Sequence, residues 1–154
     1  MHRRRHADRA VSLLELVTVL TIIGVMAAIG APRYANSLAV YRTQAAAKRV
    51  AADLALARSR ARTTSVGQTI AFNVAGSAYT VSGAKGLDGQ AAYAVALSAE
   101  PYAATIVSAA FNATTSLSFD RYGQPASGGS VVVRSGGFTK TVVVDAVTGL
   151  ASVQ

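Results

Sequence analysis

The feature that most constrains this chain is an apolar run near its N-terminus, from residue 11 to residue 31. These 21 residues contain one charged side chain, Glu15. About 20 apolar residues in a helix suffice to cross the hydrocarbon core of a bilayer. Four arginines precede the run, whereas Arg33 and Arg42 are the first basic residues after it, and an excess of basic residues marks the cytoplasmic end of a span. The sequence therefore predicts a single-pass membrane helix with a cytoplasmic N-terminus.

A cleaved secretory signal is the alternative interpretation of the same run. Such signals combine a basic start, about 7–15 apolar residues and a cleavage site of small residues. Ala28-Ile29-Gly30 would supply the site, but Pro32 follows closely and the run is longer than a signal needs. A secreted, β-rich binding module without its first 30 residues is thus a second hypothesis. The mature N-terminus, Val11 or a residue near Ala31, separates the two.

Glu15 is the unusual residue of the run. An ionisable side chain inside an apolar helix costs about 2.5–3.5 kcal/mol on insertion scales, so it commonly has a partner and a function. Its position near the start of the run also allows the carboxylate to reach the edge of the membrane. A free α-amino group on a neighbouring subunit would be a suitable partner.

The composition removes most kinds of catalytic site. The chain has no cysteine, which excludes disulfides, thiolate metal sites and cysteine nucleophiles. The two histidines, His2 and His6, both lie in the charged N-terminal tip. The rest of the chain therefore has no histidine for general acid–base catalysis or for metal ligation. No glycine-rich phosphate loop precedes a predicted helix. We expect a protein that is not an enzyme and uses no cofactor and no metal.

Positive charge is concentrated in one part of the chain, which has a net charge of +8. Residues 33–62 hold seven basic residues and one acid, whereas residues 63–154 are neutral. Arginines along a helix commonly form solvated flanks whose stems cover apolar surface. The alternative is phosphate binding, to lipid headgroups or to DNA. The candidate phosphate or DNA contacts are Arg42, Arg49, Arg60, Arg121, Arg134 and Lys140.

A second helical stretch is predicted over residues 33–63, after a kinked or loosened segment at residues 28–32 caused by Pro32. At about 100° per residue, this stretch has two apolar faces. One face carries Tyr34, Leu38, Tyr41, Ala45, Ala52 and Leu56. The opposite face carries Ala39, Ala46, Val50, Leu54, Ala57 and Ala61. One face can cover a sheet and the other can meet neighbouring helices, and a helix buried on both sides within a single domain is the alternative.

Beyond Thr63, alternating apolar residues punctuated by Gly, Ser and Asn predict short strands. The predicted strands are 68–74, 78–82, 92–98, 104–108, 116–120, 130–134, 138–145 and 149–153, with a mobile loop from Gly83 to Gly89. A helix followed only by strands indicates an α+β domain in which antiparallel sheets pack on the helix.

The start of the chain resembles a known processing signal. Residues 10–16, AVSLLEL, follow an Arg-rich leader and precede an apolar helix, which is similar to the class III signal of type IV pilins and type II secretion pseudopilins. The resemblance implies cleavage between Ala10 and Val11 by a prepilin peptidase, followed by methylation of Val11. The family prefers Gly and Phe at these two positions.

The same resemblance assigns roles within the apolar helix. Cleavage after Ala10 makes Glu15 the fifth residue of the mature chain, where the family's glutamate is thought to neutralise the N-terminal amine of the adjoining subunit. Gly24 and Pro32 fall where the family has helix-loosening residues. The resemblance therefore implies a filament-assembly role for Glu15, Gly24 and Pro32.

Three further motifs are similar to the GspH/FimT-type minor pseudopilins. They are ARSRAR at residues 57–62, LSFDRYGQP at residues 117–125 and VVVDAVTG at residues 142–149. The resemblance implies a type IV pilin-like fold, with a long N-terminal helix, transmembrane in its first half, packed on antiparallel sheets. It divides the chain into a leader (1–10), a transmembrane and filament helix (11–32) and a periplasmic domain (33–154), with an amphipathic helix at 33–63 and a β-rich part at 64–154.

The function implied is that of a minor pseudopilin in type II secretion, anchored in the inner membrane and assembled at the tip of a short periplasmic pseudopilus. Its partners would be other minor and major pseudopilins, the prepilin peptidase and inner-membrane lipid. A type IV pilus minor pilin that binds DNA for uptake is the alternative within the family. DNA-binding relatives place arginines just after the terminal Thr-Gly, whereas this chain reads LASVQ at residues 150–154.

Overall fold

A computed structural model describes residues 12–84 and 93–154 of the chain. A helix, α1 (Leu13–Thr64), comes first and every later element described is a strand. The strands are β1 (Gln68–Asn73), β2 (Ala78–Val81), β3 (Tyr93–Ala96), β4 (Thr105–Ala110), β5 (Ser116–Phe119), β6 (Gly129–Ser135), β7 (Phe138–Val144) and β8 (Ala151–Val153). The predicted α+β class and every predicted strand are confirmed. Most of the loop predicted from Gly83 to Gly89 lies outside the described residues.

The two predicted helical stretches belong to one continuous helix that contains Pro32, as the predicted long N-terminal helix requires, and the kink or loosening expected at residues 28–32 stays a prediction. Pro32 removes only one backbone hydrogen-bond donor from the helix. The nearby residues Ala27, Ala28 and Ala35 have high helix propensity and favour helix on both sides of the proline. The helix ends where Ser65 takes a left-handed backbone conformation, with φ of 54°.

The chain divides into two compact units, one ending at Ala35 and one from Asn36 to Gln154. Residues 13–35 of the first unit are helical and exposed. The second unit contains the rest of α1 and the strands, together with the buried apolar core.

The strands form two antiparallel four-stranded sheets. Sheet I has the order β3-β2-β1-β5 and sheet II has the order β4-β6-β7-β8. The register aligns apolar residues across each sheet: Ile70 pairs with Val81 and Leu117, and Val131 pairs with Val142. Because alternate residues of a strand point to opposite faces, each sheet buries one apolar face.

One face of α1 closes the core in the second unit. Its buried residues are Thr43, Ala46, Ala47, Val50, Asp53, Leu54, Ala57 and Ala61. On the opposite side, Tyr34 and Tyr41 are exposed. The prediction that one apolar face covers the sheets is therefore confirmed, and the buried face is the one rich in alanine.

Leu54→Ala should lower the free energy of unfolding by about 2–5 kcal/mol, because it removes a buried side chain and leaves a cavity. Leu54 is 1% exposed, whereas Leu56, two residues later, is 37% exposed. The matched change Leu56→Ala should cost less than about 1 kcal/mol. Urea unfolding of the full chain in detergent micelles, followed by circular dichroism, measures both. Equal losses for the two variants would contradict this assignment of the buried face.

Candidate functional site

The N-terminal part of α1 is apolar and exposed. This helix is long and apolar enough to cross a membrane, and no residue of its most apolar stretch is buried. Leu14, Leu20 and Met26 are among the large apolar side chains exposed there. A core helix of a soluble domain would bury such residues, so this segment needs an apolar environment from outside the folded domain.

Glu15 is the polar side chain of this segment that lacks a partner in the helix itself. The hydroxyls of Thr18 and Thr21 donate to the carbonyl oxygens of Leu14 and Val17, each at 2.8 Å. Glu15 forms no ion pair within the described parts of the chain. The Glu15 carboxylate therefore depends on groups supplied by its surroundings.

The other residues predicted for processing and assembly are placed as follows. Gly24 and Pro32 both lie inside α1. A Cβ at Gly24 would meet no atom within 4 Å, so packing inside the single chain does not require glycine there. Ala10 and Val11 lie outside the described residues.

A buried polar cluster joins α1 to sheet I. Asp53 accepts hydrogen bonds from the hydroxyl of Tyr79 on β2 at 2.5 Å and from the hydroxyl of Tyr93 on β3 at 3.0 Å. Nε of Arg49, one turn earlier on α1, forms an ion pair with the Asp53 carboxylate at 3.1 Å. Arg49 also donates to the Tyr93 hydroxyl. We call these four residues the Asp53 cluster.

The Asp53 cluster holds its tyrosines in the neutral form. Burial, and then the hydrogen bond to Asp53, raise the pKa of Tyr79 above its ordinary value. The same two causes raise the pKa of Tyr93. Since every polar group of the cluster has a partner, the arrangement stabilises the contact between helix and sheet, and it presents no nucleophile or free acid.

Sequence reasoning missed this cluster, although part of its signal is present. Asp53 is the acid of the basic stretch and follows Arg49 by one helical turn. Helical spacing places it on the face of Val50, Leu54 and Ala57, which predicts burial. The two tyrosines come from distant strands, and no local pattern identifies them.

The six candidate phosphate contacts do not form one surface. Arg42 forms an ion pair with Glu100 at 2.6 Å, and the Arg49 guanidinium is engaged in the Asp53 cluster. The register of β6 with β7 sets Arg134 opposite Thr139 and Lys140 opposite Val133. Neighbouring residues of a strand point to opposite faces, so Arg134 and Lys140 lie on opposite faces of sheet II. Arg60 lies on α1 and Arg121 in the loop after β5.

The two C-terminal sequence motifs form loops that touch each other. Gly123 and Gly149 both have left-handed backbones, with φ of 76° and 68°. A Cβ at Gly149 would meet Pro125 at 3.1 Å and the Phe119 ring at 3.2 Å. Glycine at position 149 is therefore required both by its backbone conformation and by the close approach of the other loop.

An aspartate organises each of these loops. Oδ1 of Asp145 accepts hydrogen bonds from the backbone and hydroxyl of Thr148 and from the backbone of Val147, which lowers the pKa of this carboxyl group. Oδ1 of Asp120 accepts the backbone N–H groups of Tyr122 and Gln124. Within the described residues, no group of three or more acidic or histidine side chains comes together to hold a metal ion.

Comparison with known proteins identifies relatives of this domain. Residues 46–149 match a family model described as type II transport protein GspH. The crystal structure of the type IV minor pilin FimU from Pseudomonas aeruginosa PAO1 is similar, with a TM-score of 0.52 and 18% identity over 72% of this chain and 91% of that chain. A second crystal form of FimU has a TM-score of 0.48 and 17% identity over 73% of this chain and 86% of that chain. No curated protein sequence matches significantly. The predicted type IV pilin-like fold is confirmed.

The Asp53 cluster predicts a loss of stability in alkali. Unfolded tyrosines ionise near pH 10, whereas Tyr79 and Tyr93 have raised pKa values in the folded chain. Their contribution is complete below about pH 10 and is lost as the pH rises above it. Tyr79→Phe should cost about 1–3 kcal/mol at neutral pH, because a buried carboxylate loses a donor. It should also make the alkaline loss less steep.

The control for this prediction is Tyr122→Phe, because the Tyr122 side chain is exposed. Urea unfolding at several pH values between neutrality and about pH 11 gives the slope for each variant. If Tyr79→Phe and Tyr122→Phe lose stability with pH as steeply as the unchanged chain, the cluster does not hold its tyrosines neutral.

Proposed function

The chain belongs to the GspH family of type II transport proteins, and from this we propose that it is a minor pseudopilin, a subunit of a short periplasmic filament in type II secretion. The family and the fold are those of structural, pilin-like proteins. The observation that carries the proposal is the exposed apolar helix segment with one unpartnered acid, in the same chain as a GspH-type domain. The chain acts in this proposal by assembling with other subunits.

In the proposed arrangement, the apolar segment anchors the subunit in the inner membrane before assembly. Its length suits a single span, and the arginines that precede it favour a cytoplasmic N-terminus. The folded domain that follows is then periplasmic. When the subunit enters a filament, neighbouring apolar helices replace the lipid around these exposed side chains.

Glu15 supplies specificity for that step. A carboxylate among apolar helices is stabilised most by a cation brought to the same depth. Cleavage of the leader would create such a cation, because the free amine of Val11 begins the apolar run of each subunit. We infer that Glu15 of one subunit neutralises the N-terminal amine of its neighbour and that methylated Val11 is the mature N-terminus.

Glu15→Leu should leave membrane insertion intact and reduce recovery with other pilin-like subunits by at least about tenfold, the effect of losing about 1.4 kcal/mol or more. Removing the charge relieves a cost of insertion and deletes the partner of the amine. Co-purification of the full-length chain from membranes measures assembly, and export of the secreted cargo measures function.

The matched control is Thr18→Leu, which removes a hydroxyl that is already satisfied within the helix. It should assemble at the level of the unchanged chain. Wild-type recovery of Glu15→Leu, together with unimpaired export, would show that the carboxylate has no role in assembly. Loss of pilus formation without any loss of export would move the subunit to a type IV pilus.

Processing of the leader is tested on the chemistry of the N-terminus. Intact-mass and N-terminal analysis of membrane-extracted protein should find a chain that begins at Val11 and carries a methyl group. Ala10→Leu should retain the leader, because a bulky side chain replaces the small one before the cut, whereas Ala10→Gly should be cleaved. A chain that begins near Ala31, or one that keeps Met1, would contradict the proposal.

A further inference from the structure

Basic and apolar side chains lie together where α1 ends. Three segments meet there: the last turns of the helix, the loop between β5 and β6, and the loop between β7 and β8. We define the helix-end surface by their outward side chains, Arg58, Arg62, Arg121, Tyr122, Val147 and Leu150.

Close contacts fix these segments against one another. Nε of Arg58 donates to the carbonyl oxygen of Gly123 at 3.3 Å, and a Cβ at Gly149 would lie 3.4 Å from the same nitrogen. The stem of Arg62 packs so closely on Gly123 that a Cβ there would be 2.7 Å from it. Arg58 thus contacts both loops, and these contacts fix the arrangement of the side chains in the helix-end surface.

The arginines of this surface, Arg58, Arg62 and Arg121, make no direct ion pair within residues 12–84 and 93–154. The nearby carboxylates, Asp120 and Asp145, direct an oxygen to the backbone N–H groups of their own loops. The surface therefore presents three cations with unused hydrogen-bond donors.

Two neighbouring clefts share Arg62. One has a volume of about 490 Å³ and is lined by Arg62, Ser65, Arg121 and Tyr122. The other, of about 480 Å³, is lined by Ala55, Arg58, Ser59, Arg62 and Thr63. Arginines and hydroxyls in a concave site are suited to carboxylate or phosphate oxygens.

The apolar residues of the surface favour a protein as the occupant. Tyr122 is 66% exposed, Val147 75% and Leu150 58%. Arginine and tyrosine are enriched at protein interfaces, where apolar neighbours exclude water around the charged contact. A phosphodiester backbone has no apolar groups that could cover Val147 and Leu150, so a nucleic acid would leave them exposed. Arginines that only complement the dipole at the C-terminal end of a helix do not require exposed apolar residues beside them.

The acids of this chain argue against a second copy as the partner. Among its described carboxylates, Asp53 is buried and Glu100 is paired with Arg42. Asp120 and Asp145 are bound within their loops, and Glu15 lies in the apolar run. Each of these acids outside the apolar run already has a partner in its own chain, so a separate acidic segment is the better match for the arginines than a second copy of the domain.

We propose that the helix-end surface binds an acidic segment with apolar side chains on a different subunit of the filament. This inference rests on the proposed function and names the chemistry of one partner. Carboxylates of that segment pair with Arg62 and Arg121, while its apolar side chains cover Tyr122, Val147 and Leu150.

The test is a titration of the full chain in detergent micelles with a short synthetic peptide that alternates glutamate and leucine, after subtraction of binding to empty micelles. The double variant Arg62→Gln/Arg121→Gln should weaken binding roughly three- to tenfold, as expected for two partly exposed ion pairs. Glutamine keeps the part of the Arg62 stem that packs on Gly123. A peptide with glutamine in place of glutamate should bind no better to the unchanged chain than to the double variant.

The matched control removes the same charge elsewhere: Arg134→Gln/Lys140→Gln should leave peptide binding unchanged. Tyr122→Ser should weaken binding without altering the charge. Equal peptide binding by the unchanged chain and the Arg62/Arg121 variant would overturn the proposal. So would tighter binding of duplex DNA that is lost in the same variant, since the surface would then be a nucleic-acid site. If Glu15-dependent assembly holds while peptide binding does not respond to these variants, the inference fails and the proposed function stands.

Discussion

The buried carboxylate of Asp53 is the group on which the packing of this domain depends. A charge taken out of water is tolerated when it is fully paired, and removing one partner of a buried pair commonly costs about 3–5 kcal/mol. Asp53 obtains its partners from α1 and from both β2 and β3. Those bonds set the position of the helix along sheet I. On sheet II, Thr43 has the corresponding role, since its hydroxyl oxygen accepts a hydrogen bond from the backbone N–H of Ser135 and lies 3.3 Å from the carbonyl oxygen of Phe138. The alanines between these two points let the backbone of the helix approach both sheets.

The arginines of α1 have different roles, depending on whether an acid lies within reach in the folded domain. Arg42 and Arg49 have acids within reach, Glu100 and Asp53, and their charge is used inside the domain. Arg58 and Arg62 lie beyond the last acid of the helix, and the loops beside them have bound their own aspartates. Within residues 36–64, the arginines without an ion pair, Arg58, Arg60 and Arg62, therefore lie at one end of the helix. The net charge of +8 is a poor indicator of polyanion binding by this chain, because the positions of the acids decide which basic side chains remain without an ion pair.

Local patterns predicted the elements of the fold well. Alternation of apolar and polar residues predicts the bounds of β1 and β7 to within a residue, because the buried and exposed faces of a strand are encoded in its own sequence. The alanine-rich face of α1 was recognised in the same way. Contacts between distant segments produce no local sequence pattern: Glu100 lies 58 positions from Arg42, and Tyr93 lies 40 positions from Asp53. The sequence alone therefore predicts solvated or phosphate-binding roles for Arg42 and Arg49. The helical stretches predicted before and after Pro32 form one helix of 52 residues, because a proline removes only one backbone donor.

In the proposed assembly, Glu15 and the helix-end surface have opposite charge and belong to different environments. Glu15 lies in an apolar segment and is stabilised by a cation that arrives in the membrane or among helices. The arginines of the helix-end surface lie on a water-facing domain and are stabilised by an acid presented in water. A surface that is complementary to itself leads to closed dimers, whereas contacts between two different patches repeat in one direction and generate open filaments. Each of these features requires a partner unlike itself. A subunit of this kind joins a growing row of subunits, and its chemistry does not favour pairing with a second copy of its own domain.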